Sequence, residues 1–259
     1  MPKILVCYKW VLDEQDIKIA ADTHKLDTGR AKYVISEYDK NAIEEATLML
    51  ENQGANVDVV TFGTAAVKQS LKDVLSRGPE RAFYIADDIA QTADAYVTAN
   101  VLAAFARKND PYDLIICGEG SSDEYNQQVA PRIGALLGVP ALTYASKITL
   151  DGNSVSVTRK LDDCVETVAA TFPAVISVLP EVNKARIPSL KQVLAAAKKP
   201  SEEVKVADLG LSADATAPKV RKVDVKGYVM SRKNNVYKDS DQQANVKKLI
   251  ADLASEGLV

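Results

Sequence analysis

An α/β chain, doubly wound about a mostly parallel sheet, is what this sequence predicts, and three observations carry the prediction. As far as Pro140, short apolar runs alternate with helix-period segments, the mark of a parallel sheet wrapped by helices. Beyond Pro140 the apolar runs follow one another directly, as antiparallel strands do. The third is size: 259 residues suffice for one large domain with extensions, whose core buries roughly three quarters of the unfolded surface.

In chain order, residues 4–8, 57–62, 82–86 and 113–117 read as strands. Between them Ala42, Ile43, Ala46, Met49 and Leu50 fall at helical spacing, then Val67, Leu71, Val74 and Leu75, then Val97, Val101, Leu102 and Phe105. A further helix sets Val129, Ile133, Leu136 and Leu137 on one side and stops at Gly138, with Pro140 beyond. Residues 148–150, 154–160, 165–170 and 174–179 read as antiparallel strands, the first two joined by a turn at Asp151-Gly152. After Pro180 a polar connector leads to a short helix over 190–199, closed by Pro200. The remainder is polar apart from one amphipathic helix carrying Val246, Leu249, Ile250 and Leu253. A tail this long without a core of its own either lies on the domain or embraces a partner, and the expectation is the partner.

Composition removes several function classes. Hydrophobic residues are 47% and charged residues 26%, ordinary for a folded soluble chain, and a net charge of -3 leaves no basic footprint for nucleic acid. Cys7, Cys117 and Cys164 are odd in number and widely separated, so metal or dithiol spacing is missing and a reducing cytoplasm is expected. The apolar run before Lys9 is too short for a signal peptide, and no stretch is long and apolar enough for a membrane span. His24, the only histidine, reads as a loop residue before Asp27-Thr28-Gly29, leaving a His-based metal site or hydrolytic triad without parts. The pairs Asp87-Asp88 and Asp162-Asp163 point to opposite faces if they lie on strands, which argues against a shared dyad. Such a chain has no catalytic side chains of its own to offer; a cofactor would carry the reaction.

In a doubly wound sheet a ligand sits beyond the carboxyl ends of the strands, where strand order reverses. The loops there are Cys7-Tyr8-Lys9, Phe62-Gly63-Thr64 and Gly118-Glu119-Gly120-Ser121-Ser122-Asp123. Small residues in the last of these let backbone approach a ligand, and the helix starting near Gln127-Gln128-Val129-Ala130 offers free N–H groups and a positive dipole end. That describes an anion site for phosphate; the plainer alternative is a turn in which Ser121, Ser122 or Asp123 caps the helix. There is no Walker lysine, and Gly-Glu-Gly is not the dinucleotide fingerprint, which disfavours an adenylating ATPase. Lys9 stands either as a phosphate counter-charge or as a solvated strand end.

Several segments together resemble the electron transfer flavoprotein beta-subunit family over nearly the whole chain. Arg159, Asp162 and Glu166, followed by Phe172-Pro173-Ala174-Val175, follow a family pattern in which this chain has Asp163 and Cys164 in place of two glycines and Phe172 in place of leucine. The nearest likeness is to the Fix-type, electron-bifurcating branch, through residues 73–79, 118–129 and 186–191.

The resemblance implies a sheet of the adenine-nucleotide alpha hydrolase type. Residues 1–180 would be the nucleotide-binding domain and 181–259 a recognition loop and carboxyl-terminal arm packed on the partner subunit. It further implies that Ser121, Ser122, Asp123, Gln127, Gln128, Val129, Ala130 and Pro131 surround a nucleotide phosphate, with Ala130 where most relatives have glycine. Cys7, Tyr8, Lys9, Phe62, Gly63 and Thr64 would frame sugar and base, with Gly118 close by. Lys9, Trp10, Tyr38 and Asp39 would approach the flavin ring. Ile187, Ser189 and Leu190 would form the partner-recognition element, with Leu190 as anchor, although sequence alone favours Leu190 packed in the core. The implied cofactor is FAD taking hydride from NADH, or AMP in the housekeeping branch. The implied partners are an alpha subunit in a heterodimer, an acyl-CoA dehydrogenase-type enzyme, and ferredoxin or flavodoxin. A nucleotide-binding sensor of universal-stress type is the alternative of another class.

Overall fold

The structure is a computed structural model that describes residues 1–109, 111–228 and 232–259. The first strand, β1 (Lys3–Cys7), is followed by a short antiparallel ribbon of β2 (Trp10–Leu12) and β5 (Tyr33–Ile35), with β3 (Lys18–Ile19) and β4 (Leu26–Asp27) paired between them. Then α1 (Glu37–Gln53) crosses to β6 (Asn56–Gly63), α2 (Leu71–Ser76) to β7 (Arg81–Ala86), and α3 (Ala95–Lys108) to β8 (Leu114–Gly118). β6 and β7 extend the sheet on one side of β1, but β8 returns to its other side, so strand order reverses between β1 and β8. The remaining elements are α4 (Val129–Leu137), β9 (Ala141–Asp151), β10 (Ser154–Lys160), β11 (Val165–Thr171), β12 (Ala174–Val178), α5 (Leu190–Ala196), β13 (Ser201–Glu203) and α6 (Gln242–Ser255). The nine-stranded sheet runs β11-β10-β9-β12-β8-β1-β6-β7-β13.

The period-two alternation of side chains along a strand explains why helices cover both faces. Ile4 and Val6 of β1 join Val57, Val59, Leu114 and Ile116 beneath Ala42, Ile43, Ala46 and Met49 of α1. Leu5 and Cys7 point the opposite way, joining Phe83, Ile85, Ile115 and Cys117 against Val97, Val101, Leu102 and Phe105 of α3 and Ile133 of α4. Two cores therefore share one sheet, and β1, buried throughout its last four residues, is their common wall. The α4 stop at Gly138 is as the sequence predicts: its φ of 71° is left-handed, where a Cβ would be strained.

Several expectations need correction. The 174–179 segment, read as antiparallel, pairs parallel with both β8 and β9 and is buried at every position. An unbroken apolar run marks a strand covered on both faces, and such strands belong in a parallel interior. β9 begins seven residues before the expected 148, at Ala141, since its first half pairs with β12 and only its second half with β10. The Val67 to Leu75 helix is half 3-10 turn (Ala65–Ser70), in which the Ser70 hydroxyl donates to the Val67 carbonyl at 2.6 Å, so that only α2 is α-helical. Leu136 is exposed rather than packed with Ile133. The short helix after residue 190 ends at Ala196.

Contacts divide the described chain into one unit of residues 1–18 and 27–225 and another of 19–26 and 226–259. In the first, β13 pairs parallel with β7, and Leu209 is buried in the α3-side core. In the second, His24 adopts a φ of 55° and exchanges backbone and ring contacts with Gly227. No helix among the described residues is long and apolar enough to cross a membrane.

Phe83 and Phe105 meet edge to face at 5.0 Å between ring centroids with almost no solvent exposure. The Phe105→Ala variant is expected to lose about 3–5 kcal/mol of unfolding free energy, read as an earlier urea midpoint with an unchanged slope.

Candidate functional site

The carboxyl ends of β1 and β8 stay in register to Cys7 and Cys117, and the chain then leaves in two directions. Asp39, in the first turn of α1, bridges the parting. Its Oδ2 accepts the Lys9 N–H at 2.8 Å and its Oδ1 the Gly118 N–H at 3.1 Å. Burial pushes its pKa up to about 7 against the pull of those two N–H groups and the Lys9 charge, with Asp123 adding a small upward push. A Cβ on Gly118 would lie 2.6 Å from Asp39 Oδ1 and 2.8 Å from the Tyr38 carbonyl carbon, so only glycine admits this close approach.

The loop from Glu119 to Gln128 closes over this floor. Glu119 is buried and accepts from the Tyr125 hydroxyl at 2.6 Å and the Gln127 amide at 3.4 Å. Both partners carry left-handed backbone, with φ of 47° and 54°, so the buried acid holds two residues in a conformation that side chains disfavour. Tyr125 also packs obliquely on Tyr38, ring centroids 5.1 Å apart. Asp123 accepts from Lys9 Nζ, from the Ser121 hydroxyl at 2.5 Å and from the Glu124 N–H at 2.8 Å. Burial works to raise its pKa, but the Lys9 charge and these hydrogen bonds outweigh it and hold the carboxyl below its ordinary value. Glu124 is met in turn by Lys222 at 2.9 Å.

Polar groups in this crevice remain without partners. The Ser122 N–H donates to Ser36 Oγ at 3.2 Å, but the Ser122 hydroxyl is buried with no hydrogen-bond partner. No side chain caps α4, because the Gln128 carbonyl oxygen of the amide side chain accepts instead from Arg132 at 2.9 and 3.1 Å. The leading N–H groups of a helix have no partner within it, so the α4 terminus offers donors and a positive dipole end. Small residues, unfilled donors and a buried orphan hydroxyl suit a phosphate ester. The same set suits the nucleotide part of a larger cofactor.

Lys9, Tyr38, Asp39, Gly118, Ser121, Ser122, Asp123, Gln127 and Gln128 therefore converge at the strand-order reversal. Phe62 and Gly63 close β6, the neighbour of β1 on its other side, and Thr64 follows it. The side chains of Cys7, Phe62 and Ala130 are buried in the α3-side core and the Tyr8 hydroxyl bonds Ser70, so these positions have chiefly backbone to offer a ligand. Ile187 and Leu190 are exposed, and Ser189 caps α5 by accepting the Gln192 N–H. Sequence reasoning missed Ser36, and it placed Glu119 and Tyr125 in the candidate loop without seeing that they bond each other.

Asp39 binds a proton more tightly in the fold than in the unfolded chain, so its contribution to stability is present at low pH and is lost as pH rises from its ordinary 3.8 through about 7. A carboxyl-carbon NMR titration is expected to show this group changing near neutrality. The Gly118→Ala variant is expected to lose about 1–3 kcal/mol of stability, the usual cost of overpacking, with the Asp39 resonance displaced.

The arrangement is shared with a known family. The family model described as an electron transfer flavoprotein domain matches residues 23–209, well over half the chain. That span contains α1 with Asp39, all of β6 to β13 and the whole loop of Glu119 and Ser122. With a mostly parallel sheet, a phosphate-suited crevice and that match together, the chain belongs to the electron transfer flavoprotein family.

Proposed function

We propose that the chain is the small (beta) subunit of a heterodimeric electron transfer flavoprotein of the Fix-type branch, with FAD in the crevice between β1 and β8. The observation that carries this reading is the uncapped amino terminus of α4 beside the unpartnered Ser122 hydroxyl. When bound, the flavin supplies the redox chemistry, taking hydride from NADH and passing electrons on to ferredoxin or flavodoxin and, through the alpha subunit, to an acyl-CoA dehydrogenase-type enzyme.

This chain's residues do the binding and orienting. The N–H groups at Gln128, Val129 and Ala130 receive phosphate oxygens, and Ser122 donates the hydroxyl proton that has no acceptor within the protein. Lys9, already shared between Asp123 and Glu124, brings a positive charge near the phosphates, and with Lys222 on Glu124 the four side chains balance. Phe62, Gly63, Thr64 and the backbone of Cys7 and Tyr8 border the sugar and base. Trp10, Tyr38 and Asp39 border the ring. Trp10 Nε1 is buried and lacks a hydrogen-bond partner, as a group awaiting a neighbour would.

In this reading residues 1–180 form the nucleotide domain and residues 181–259 supply a recognition loop and an arm that packs on the alpha subunit. Supporting the arm, α6 leaves Val246, Leu249 and Ile250 exposed, an apolar stripe at helical spacing. The three free cysteines, two of them buried on neighbouring strands, support a cytoplasmic location in this reading.

Co-expression with the large subunit tests the proposal. Absorbance and mass are expected to count two FAD per purified heterodimer, with anaerobic bleaching by NADH. One FAD with one AMP would transfer the chain to the housekeeping branch. Recovery of a folded heterodimer with no adenine nucleotide on this subunit would sink the site.

A further inference from the structure

Residues 187–198 differ from the rest of the surface in how they are held. Ile187, Leu190 and Leu194 are 94%, 75% and 63% exposed. Single exposed leucines are ordinary, but Leu190 and Leu194 stand one turn apart on α5 and Ile187 is exposed just ahead of the helix, so the segment carries a stripe of three apolar side chains within eight positions. The inner side of α5 is different, since Ala196 is buried and Val193 half-buried. A capping box of Ser189 and Gln192 starts the helix.

Both ends of this segment are fastened to helices of the sheet domain. At its start, the Arg186 guanidinium forks onto Glu44 at 2.7 and 2.9 Å and onto Glu51 at 2.5 and 2.9 Å. The Arg186 N–H donates to Glu44 at 3.1 Å, and its carbonyl accepts from Arg77 at 3.2 Å. Glu44 is nearly buried, so this pairing has displaced water rather than merely met a neighbour in it. At the far end, Lys199 Nζ donates to the carbonyls of Leu75, Gly78 and Pro79 at 3.0, 2.9 and 2.7 Å, filling all three of its donors at the end of α2. β13 begins two residues later.

We infer that Arg186 and Lys199 are positioning residues for partner docking, holding residues 187–198 in one preset conformation so that Ile187, Leu190 and Leu194 meet the partner without first being ordered. The inference rests on the proposal that this segment is the recognition loop, and it replaces the picture of a mobile arm. Neither anchor points outward with the stripe. Each acts by removing the conformational freedom that binding would otherwise have to remove.

The experiment uses the full heterodimer and a purified short-chain acyl-CoA dehydrogenase reduced by its substrate, with electron transfer followed against heterodimer concentration. Arg186→Lys keeps the charge and loses the fork; Lys199→Met keeps the stem and loses the donors; Leu190→Ala is the contact control. Both anchor variants are expected to raise KM, Lys199→Met by about 10-fold, with kcat at saturation little changed and amide exchange faster over 190–198 alone. The double variant Lys199→Met/Leu190→Ala should lose less than the product of the single losses, as coupled residues do. A raised KM for Leu190→Ala with wild-type values for both anchor variants would overturn the inference and leave the docking reading intact. Wild-type KM for Leu190→Ala as well would overturn both. An anchor variant too unstable to purify is replaced by Glu51→Ala, which removes half the fork and leaves no buried charge unpaired; an unchanged exchange pattern there also overturns the inference.

Discussion

One buried carboxyl group decides the shape of the crevice. Where β1 and β8 separate, backbone pairing ends and two N–H groups would face each other with no acceptor; Asp39 supplies both acceptors from a third element, α1. Burial wins the contest: it disfavours the anion by more than the two donors and Lys9 favour it, and so the carboxyl pKa is pushed up to about 7. Removing that side chain would leave two donors unmet, and a side chain on Gly118 would collide with it. The floor of the site is therefore set by the fit of a single side chain between two strand ends.

What stands on that floor is organised by acids more than by bases. Asp123 occupies Lys9, Glu124 shares it and is met by Lys222, and Glu119 holds the loop from within. A free lysine cluster would attract any anion. Here the positive charges are already balanced, and the attraction left over is directional: the helix terminus and one orphan hydroxyl. Such a site selects for geometry, because a phosphate gains only if it meets those donors together. Positive-φ Tyr125 and Gln127 show that the loop has been held against its own backbone preference to achieve this.

The central strands and α1, α3 and α4 were legible because their apolar spacing is decided by burial, which is the same physics that forms them. The doubly wound class followed from that pattern, but the place where strand order reverses did not, and the sequence left three strand-end loops as candidates for it. β12 was misread because an unbroken apolar run does not state its direction; only its neighbours do. Asp39 was attached to the site through resemblance, since nothing in the local pattern shows that a helix acid reaches two strands distant in sequence. Ser36 stands at the N-cap of α1 without capping it, and its hydroxyl oxygen accepts the Ser122 N–H instead. Tertiary hydrogen bonds of this kind join residues 79 to 86 positions apart and leave no periodic trace.

α1 links the two functional regions. Asp39 at its first turn sets the crevice, and Glu44 and Glu51, two turns apart on one face, receive Arg186. The rise from Asp39 to Glu44 along an α-helix is only about 7–8 Å, and Asn41 between them bonds Asn183 of the same connector. A cofactor bound at the first turn and a docking stripe fastened at the second and fourth would share one rigid rod. Their separation would then be a property of the fold rather than of a flexible arm. Electron carriage between proteins depends steeply on how far apart the cofactors stand, so under the proposed function a docking element tied to the helix that floors the crevice would fix the quantity that matters most. The fork of Arg186 makes sense in those terms, since a single lysine contact would tether the segment, whereas a planar fork on two carboxylates also sets its orientation.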